Sequence, residues 1–291
     1  MNPSPSFEDR MHECLDKISP AEQRVANFFR DNREEVLIAS ASALAQQTGT
    51  SDATVVRTAK ALGFSGMEEL RRTLAQELRE NLSPASRMVR TLSEMGDNLE
   101  TAFHHTLDVH QQSLDGLRQD ITPATFRSAV LAITGAHRIF IFGLGPSSAM
   151  ADYLTIQLGR FGIDAHGLTQ SGLLLADGLQ KLSKGDVLLI FAYGRVYSEL
   201  NALLDQADRC GANKILVSDT LGTKLRSAVD VVLPVARGRA NMLSMHTATL
   251  SLIETLLVGV AVERPGETVA SLESLNRLRA ALTSNSMALP T

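Results

Sequence analysis

The spacing of apolar residues changes character once along the chain. Over the first third, apolar positions recur every three or four residues, the period of helices that bury one face. Val25, Phe28 and Phe29 share such a face and follow Ser19-Pro20-Ala21-Glu22. That tetrad reads as a helix start: a serine cap, proline at the first helical position, and glutamate three residues after the cap to complete a capping box. Asn32-Arg33 marks the end of the helix. The stretch "SASALAQQTGTSDATVVRTAKALGFSG" then predicts a short helix from about Ser42 to Thr48 and a tight turn at Gly49-Thr50. A second helix runs from about Asp52 to Ala61, capped by Ser51 and stopped by Gly63 and Gly66. Residues 67–80 continue as an amphipathic helix, whereas Asn81 to Gly96 is mixed, with a break expected at Ser83-Pro84. Helical patterns return at 97–117 and 122–134.

After residue 136 the period shortens. Runs rich in β-branched and aromatic residues at 137–145, 164–168, 186–192, 213–219 and 230–235 alternate with helical stretches. Such alternation is that of a parallel sheet with helices on both faces. Helices at about 243–263 and 268–283 close the chain. The expected fold class is therefore a two-domain α+β protein, an all-α helix-turn-helix domain followed by an α/β parallel-sheet domain. Its expected limits are 1–80 for the first domain, 81–121 for a linker and linking helix, and 122–291 for the second, with a core at about 128–265.

Length agrees with two domains, since 291 residues exceed the ~100–200 of one. The apolar run Leu256–Val262 falls far short of the ~18 residues of a membrane span. The opening "MNPSPSFEDRMHE" lacks a charged-then-apolar targeting layout, so the cytoplasm is the expected compartment and no membrane partner is expected. Cys14 and Cys210 fall in different domains and read as reduced thiols. The net charge of −4 is unevenly spread: residues 54–90 hold seven Lys and Arg against four Asp and Glu, so the basic segment lies near the N-terminus. His104, His105 and His110 lack an i, i+4 pair and a partner carboxylate motif, so neither a metal nor another cofactor is expected.

Two segments hold candidate chemistry. The first is the helix pair at 42–62, whose spacing is that of a DNA-reading helix-turn-helix. At ~100° per residue, Val55, Ala59 and Leu62 face the core, while Ala53, Thr54, Arg57, Lys60 and Ala61 point away. Small residues let the backbone approach a groove, Arg57 and Lys60 can reach base edges or phosphates, and Ser51 with nearby amides can meet a phosphate. A helix pair with a glycine turn can also be a purely structural hairpin; the outward cations beside small residues favour operator DNA.

The second is the loop after the first strand, Gly143-Leu144-Gly145-Pro146-Ser147-Ser148. A glycine-rich loop between a parallel strand and a helix start aims amides and the helix dipole at an anion, and two hydroxyls add donors. Dinucleotide binding fits poorly: Ser148 stands where the third glycine of that fingerprint belongs, and Asp164 precedes the second strand instead of ending it.

"SPAEQRVANFFRDN", "LAQQTGTSDATVVRTAKALGFSGMEELR" and "IFGLGPSSAMADYL", in this order, resemble the RpiR-type (MurR/RpiR) family of bacterial transcriptional regulators. In that family an N-terminal helix-turn-helix precedes a SIS, or sugar isomerase, domain. The resemblance spans nearly the whole chain and implies a homodimer or homotetramer that binds operator DNA and senses a phosphorylated sugar, not an enzyme. It also exposes a departure. SIS domains that bind phosphosugars usually have a loop resembling S-x-S-G-x-T after the third strand, and here Ala192, Tyr193, Gly194, Arg195, Val196 and Tyr197 occupy it. Most of the hydroxyls are gone. Either Arg195 with Tyr193 or Tyr197 grips a phosphate or carboxylate, or these residues pack at a subunit interface. "ARGRANMLSMH" brings Arg237, Arg239, Ser244 and His246 near the start of a helix, where SIS domains often complete a ligand site; either Arg239 and His246 do so here, or these arginines are simply solvated after an edge strand. Glu254, within an apolar helix, reads as a partly buried, paired carboxylate. The leading expectation is a regulator sensing a small anionic ligand, a sugar phosphate or sugar acid. A sugar-phosphate isomerase, or a SIS fold serving only oligomerisation, are the alternatives.

Overall fold

The computed structural model of the protein describes residues 7–81, 83–96 and 98–282. The outer ends of the two expected domains, and the last residue of the helix expected at 268–283, lie outside them. The chain forms two compact units that divide between Glu94 and Met95.

The first unit is all helical: α1 (Phe7–Cys14), α2 (Pro20–Asp31), α3 (Arg33–Ile38), α4 (Ala41–Thr48), α5 (Asp52–Ala61) and α6 (Met67–Asn81). At the start of α2 the capping box is complete: the Ser19 amide donates to the Glu22 carboxylate at 3.0 Å and the Glu22 amide to Ser19 Oγ. Ser40 caps α4 through the Ala43 amide, so the helix starts at Ala41, one residue before the expected Ser42, and it ends at Gly49 in the left-handed conformation (φ +62°) that a side chain would resist. Phe7, Val25, Phe29, Leu44, Val55, Leu62, Leu70 and Leu74 are fully buried in one core, and Phe28 packs on it half-buried.

Residues 84–95, expected to be mixed, form a helix, α7 (Pro84–Met95). Pro84, which reads as a break, is its first residue, where the missing N–H has no helical partner to lose. Ser83 Oγ accepts from the Ser86 amide at 3.1 Å.

The second unit opens with α8 (Leu99–Asp120) and α9 (Pro123–Gly135) and continues as β1 (Ile139–Gly143), α10 (Pro146–Arg160), β2 (Ala165–Leu168), α11 (Leu173–Leu179), β3 (Val187–Phe191), α12 (Ser198–Cys210), β4 (Asn213–Ser218), α13 (Leu221–Lys224), β5 (Val231–Pro234), α14 (Thr247–Glu263) and α15 (Pro265–Leu282). The strands form one parallel sheet in the order β2-β1-β3-β4-β5. β1, β3 and β4 are unbroken apolar runs because both sheet faces are covered. Alternate side chains go to opposite faces. Ile139, Ile141, Leu189 and Phe191 join α9, α10 and α14 in one core, while Phe140, Phe142, Leu188 and Ile190 join α11 and α12 in the other. At the amino edge of the sheet the fully buried Asp186 takes both Nε and a terminal nitrogen of Arg138, at 3.2 and 2.7 Å, and the Ser183 amide at 2.8 Å. This ties β1 to β3 at the edge opposite the candidate site.

Strand order reverses between β1 and β3. In an open parallel sheet such a reversal leaves a crevice outside the carboxyl ends of the two strands, because their following helices cover opposite faces. The loops after β1 and β3 flank that crevice.

Candidate functional site

In the first unit, α5 is the helix whose surface fits a groove. Ser51 caps it through the Thr54 amide, and Val55, Ala59 and Leu62 turn fully inward, as their spacing predicts. Ala53, Arg57 and Lys60 are exposed, and neither cation has an acid within ion-pair distance among the described residues. Thr54 departs from the expected outward set. It is 8% exposed, its hydroxyl lies 2.9 Å from Ser51 Oγ and accepts from Arg57 at 3.2 Å. Position 54 lies one residue from Val55, so the helix edge that borders the core takes its short side chain. Thr54 therefore shapes the helix start and holds Arg57 in place of facing a partner.

In the second unit, a cleft of about 320 Å³ opens at the β1/β3 reversal, lined by Leu144, Ser147, Phe191, Tyr193, Arg195, Tyr197, Glu199 and Arg237. A second hollow, of about 570 Å³, lies between α11 and α12, away from the strand ends.

Tyr193 forms the floor. It is 9% exposed, its hydroxyl meets Thr249 Oγ1 at 3.1 Å, and the His246 ring stands edge-on to it at 5.8 Å. The Arg237 guanidinium covers its other side, 4.1 Å from the ring centre. Asp219 anchors that guanidinium at 3.2 Å and accepts the Gly194 amide at 3.0 Å and the Thr220 amide at 2.6 Å. Burial opposes ionisation of Asp219, but the two amides and Arg237 outweigh it and hold its carboxyl below the usual range. Burial pushes the Tyr193 and Tyr197 hydroxyls up to about 12, so both are protonated donors. Burial and the Arg237 charge lower His246, which stays neutral at pH 7.

Glu199, at the start of α12, lies on the opposite wall. Its own backbone amide is the chief influence holding its carboxyl below the usual range, followed by Ser198 Oγ at 2.9 Å, with the Gly172 amide adding to them. Tyr197 precedes the helix without capping it by its side chain.

The loop after β1 is less open than its composition suggests. Pro146 has no N–H, the Ser147 amide donates to the Leu144 carbonyl at 3.2 Å, and the Ser148 amide donates to the Gly145 carbonyl at 3.0 Å. Ser148 Oγ also donates to that carbonyl, at 2.7 Å. Ser147 alone of the two serines reaches the cleft. Gly143 packs against the start of α10, where a Cβ would collide with the Ser147 carbonyl, and Gly145 turns the chain at φ +59°. Both glycines shape the loop and neither lines the cleft.

Of the loop expected after β3, Tyr193, Arg195 and Tyr197 all line the cleft. Arg239 does not; Arg237 takes the place expected of it. His246 sits behind Tyr193 and supports the floor. Glu254 is exposed, not buried, and accepts from Tyr153 at 3.4 Å. Spacing alone missed Glu199 and Asp219 as site residues. The available signals were an acid in the first turn of α12 and an acid directly after β4, at the same carboxyl edge of the sheet.

Comparisons with known proteins agree with this division. The rpiR-family helix-turn-helix domain model matches residues 6–81 and the SIS domain model residues 132–259. The bifunctional protein glk of Burkholderia orbicola is 28% identical over 88% of this chain, which spans 40% of that protein's length. An uncharacterised HTH-type transcriptional regulator of Caldanaerobacter subterraneus is 23% identical over 92% of this chain and 95% of its own. The structure of the Vibrio vulnificus NanR protein complexed with ManNAc-6P covers 96% of this chain and 100% of its own at a TM-score of 0.62 and 23% identity, a likeness of fold. The chain thus joins a helix-turn-helix domain of the rpiR family in one unit to a SIS domain in the other.

Proposed function

We propose that this protein is a sequence-specific DNA-binding regulator whose SIS cleft senses a small sugar-derived anion, a sugar phosphate or a sugar acid. The observation that supports it most is the pairing, on one chain, of an exposed cationic helix surface at Ala53, Arg57 and Lys60 with a cleft at the sheet's switch point. Ser51 and the amides of the α5 start add a phosphate contact in this reading. The SIS neighbour solved with ManNAc-6P supports a sugar-derived ligand. A ligand shifts the protein between two arrangements only by its differential affinity for them, and in this reading the two are subunit arrangements of a homodimer or homotetramer. The cytoplasm, where operator DNA lies, completes the reading.

The test is binding of the purified protein to DNA flanking its own gene, across a salt series, with Arg57→Ala alongside. Specific binding, weakened about tenfold or more in the variant and altered by one sugar-derived anion, is the expected result. Absence of sequence-dependent binding, or turnover of an aldose or ketose phosphate abolished by Ser147→Ala, would overturn it.

A further inference from the structure

The cleft's donors and charges are arranged for a carboxylate more than for a phosphate. A phosphate ester is held by several short donors converging on three oxygens, chiefly backbone amides and small hydroxyls. Around this cleft several of those donors are already engaged. The Ser147 and Ser148 amides bond to carbonyls of their own loop, the Ser148 hydroxyl to Gly145, the Gly194 amide to Asp219, and the Arg195 amide to the Tyr193 carbonyl at 2.9 Å. At the start of α12, the Glu199 carboxylate lines the cleft and lies against its own backbone amide, so an anion at that helix start would face a negative charge.

Among the side chains, what remains is a small set of different shape. Arg195 lines the cleft, is exposed, and pairs with no acid among the described residues. The Tyr197 and Ser147 hydroxyls line it with no hydrogen-bond partner among the described residues. Arg237 Nε is buried without an acceptor. Charge points the same way. Arg195 and Arg237 are matched by Glu199 on the wall and Asp219 behind Arg237, so the lining is neutral overall, and a second negative charge on a ligand would face Glu199. A phosphate monoester carries about −1.5 to −2 at pH 7, a carboxylate −1. The planar guanidinium of Arg195 also matches a carboxylate's two oxygens, and Glu199 can accept hydroxyls from the same molecule.

Resting on the regulator reading above, we infer that the effector is an unphosphorylated sugar acid. Its carboxylate lies on Arg195, the hydroxyls of its carbon chain donate to Glu199, and Tyr197 and Ser147 supply the remaining hydrogen bonds.

The experiment is calorimetric titration of the full chain with gluconate, galactonate, glucuronate and galacturonate, against glucose 6-phosphate, galactose 6-phosphate and inorganic phosphate. Operator binding is measured on the same preparation. At least one sugar acid is expected to bind at least tenfold more tightly than any phosphate. Arg195→Ala should weaken it at least tenfold without a change in melting temperature. Glu199→Gln should narrow the preference by relieving the charge that faces a phosphate. Tighter binding of a sugar phosphate than of every sugar acid would overturn the inference, as would binding of none of the acids. If the operator is still bound specifically in either case, the regulator reading stands; loss of operator binding as well would defeat that reading too.

Discussion

Helices α5 and α12 both present their first turn to the surface where a partner is proposed, and the two starts are dressed in opposite ways. At α5, Ser51 satisfies the Thr54 amide, Asp52 stands in the first turn, and the exposed cations Arg57 and Lys60 form no ion pair among the described residues, although Arg57 lies near enough to lower the Glu22 carboxyl. At α12, Tyr197 contributes no side-chain cap, and the Glu199 carboxylate lies against its own backbone amide. Both arrangements answer the same need, since the first N–H groups of any helix lack partners within it. Where a hydroxyl does the capping, the positive field of the surface is left for a polyanion. Where no side chain caps the helix and a carboxylate of its first turn lines the cleft, negative charge is already present, and recognition passes to groups on the preceding loop, here Arg195 and the tyrosines.

The largest effect should come from removing the internal acid that neutralises the cleft. Asp219→Ala leaves Arg237, 15% exposed at its side chain, without its carboxylate and frees the Gly194 and Thr220 amides. We expect a loss of about 3 kcal/mol, read by denaturant unfolding at pH 7. Because folding depresses the Asp219 carboxyl, its contribution is fully present above the ordinary carboxylate range near pH 4 and is lost as pH falls through the lower folded value. The gap between wild type and variant should therefore close below about pH 4. An unchanged stability would show that Asp219 does not hold Arg237 and the loop after β3 in place.

Ser51→Ala should cost about 1 kcal/mol by uncapping α5, and should weaken operator binding as well, because Thr54 and Arg57 lean on that cap. Stability lost with DNA affinity intact would show that the cap and the binding surface are independent. Tyr193→Phe should also cost about 1 kcal/mol, since Thr249 keeps a buried hydroxyl with one partner fewer; operator affinity without ligand should not move. The smallest effect belongs to Ser148→Ala, within about 0.5 kcal/mol and silent in ligand titration. Ser147→Ala, one residue away, should weaken the ligand. Equal effects of the two substitutions on ligand binding would show the loop after β1 to be an open cradle after all.

Much of this was legible without coordinates. The α5 limits, Asp52–Ala61, coincide with the spacing because a serine cap and following glycines are local signals. The five strands appear where short apolar runs alternate with helical ones, since a sheet covered on both faces needs such runs. Legibility fails at Pro84, where the same residue breaks one helix or starts another, and at Thr54, where a position at the edge of the apolar face can go either way.

The sequence by itself determined the two-unit order, the helix-turn-helix, the parallel sheet, and the placement of Tyr193, Arg195 and Tyr197 on a loop at a strand's carboxyl end, because periodicity and capping act over a few residues. Only the tertiary structure decided which groups meet in the cleft. Arg237 and Arg239 are two residues apart in one loop, and Arg237 turns onto Tyr193 because the Met245 amide closes the loop on its carbonyl and Asp219, on another segment, holds its guanidinium. Contacts between distant segments depend on how the strands are ordered in space, and no local spacing encodes that.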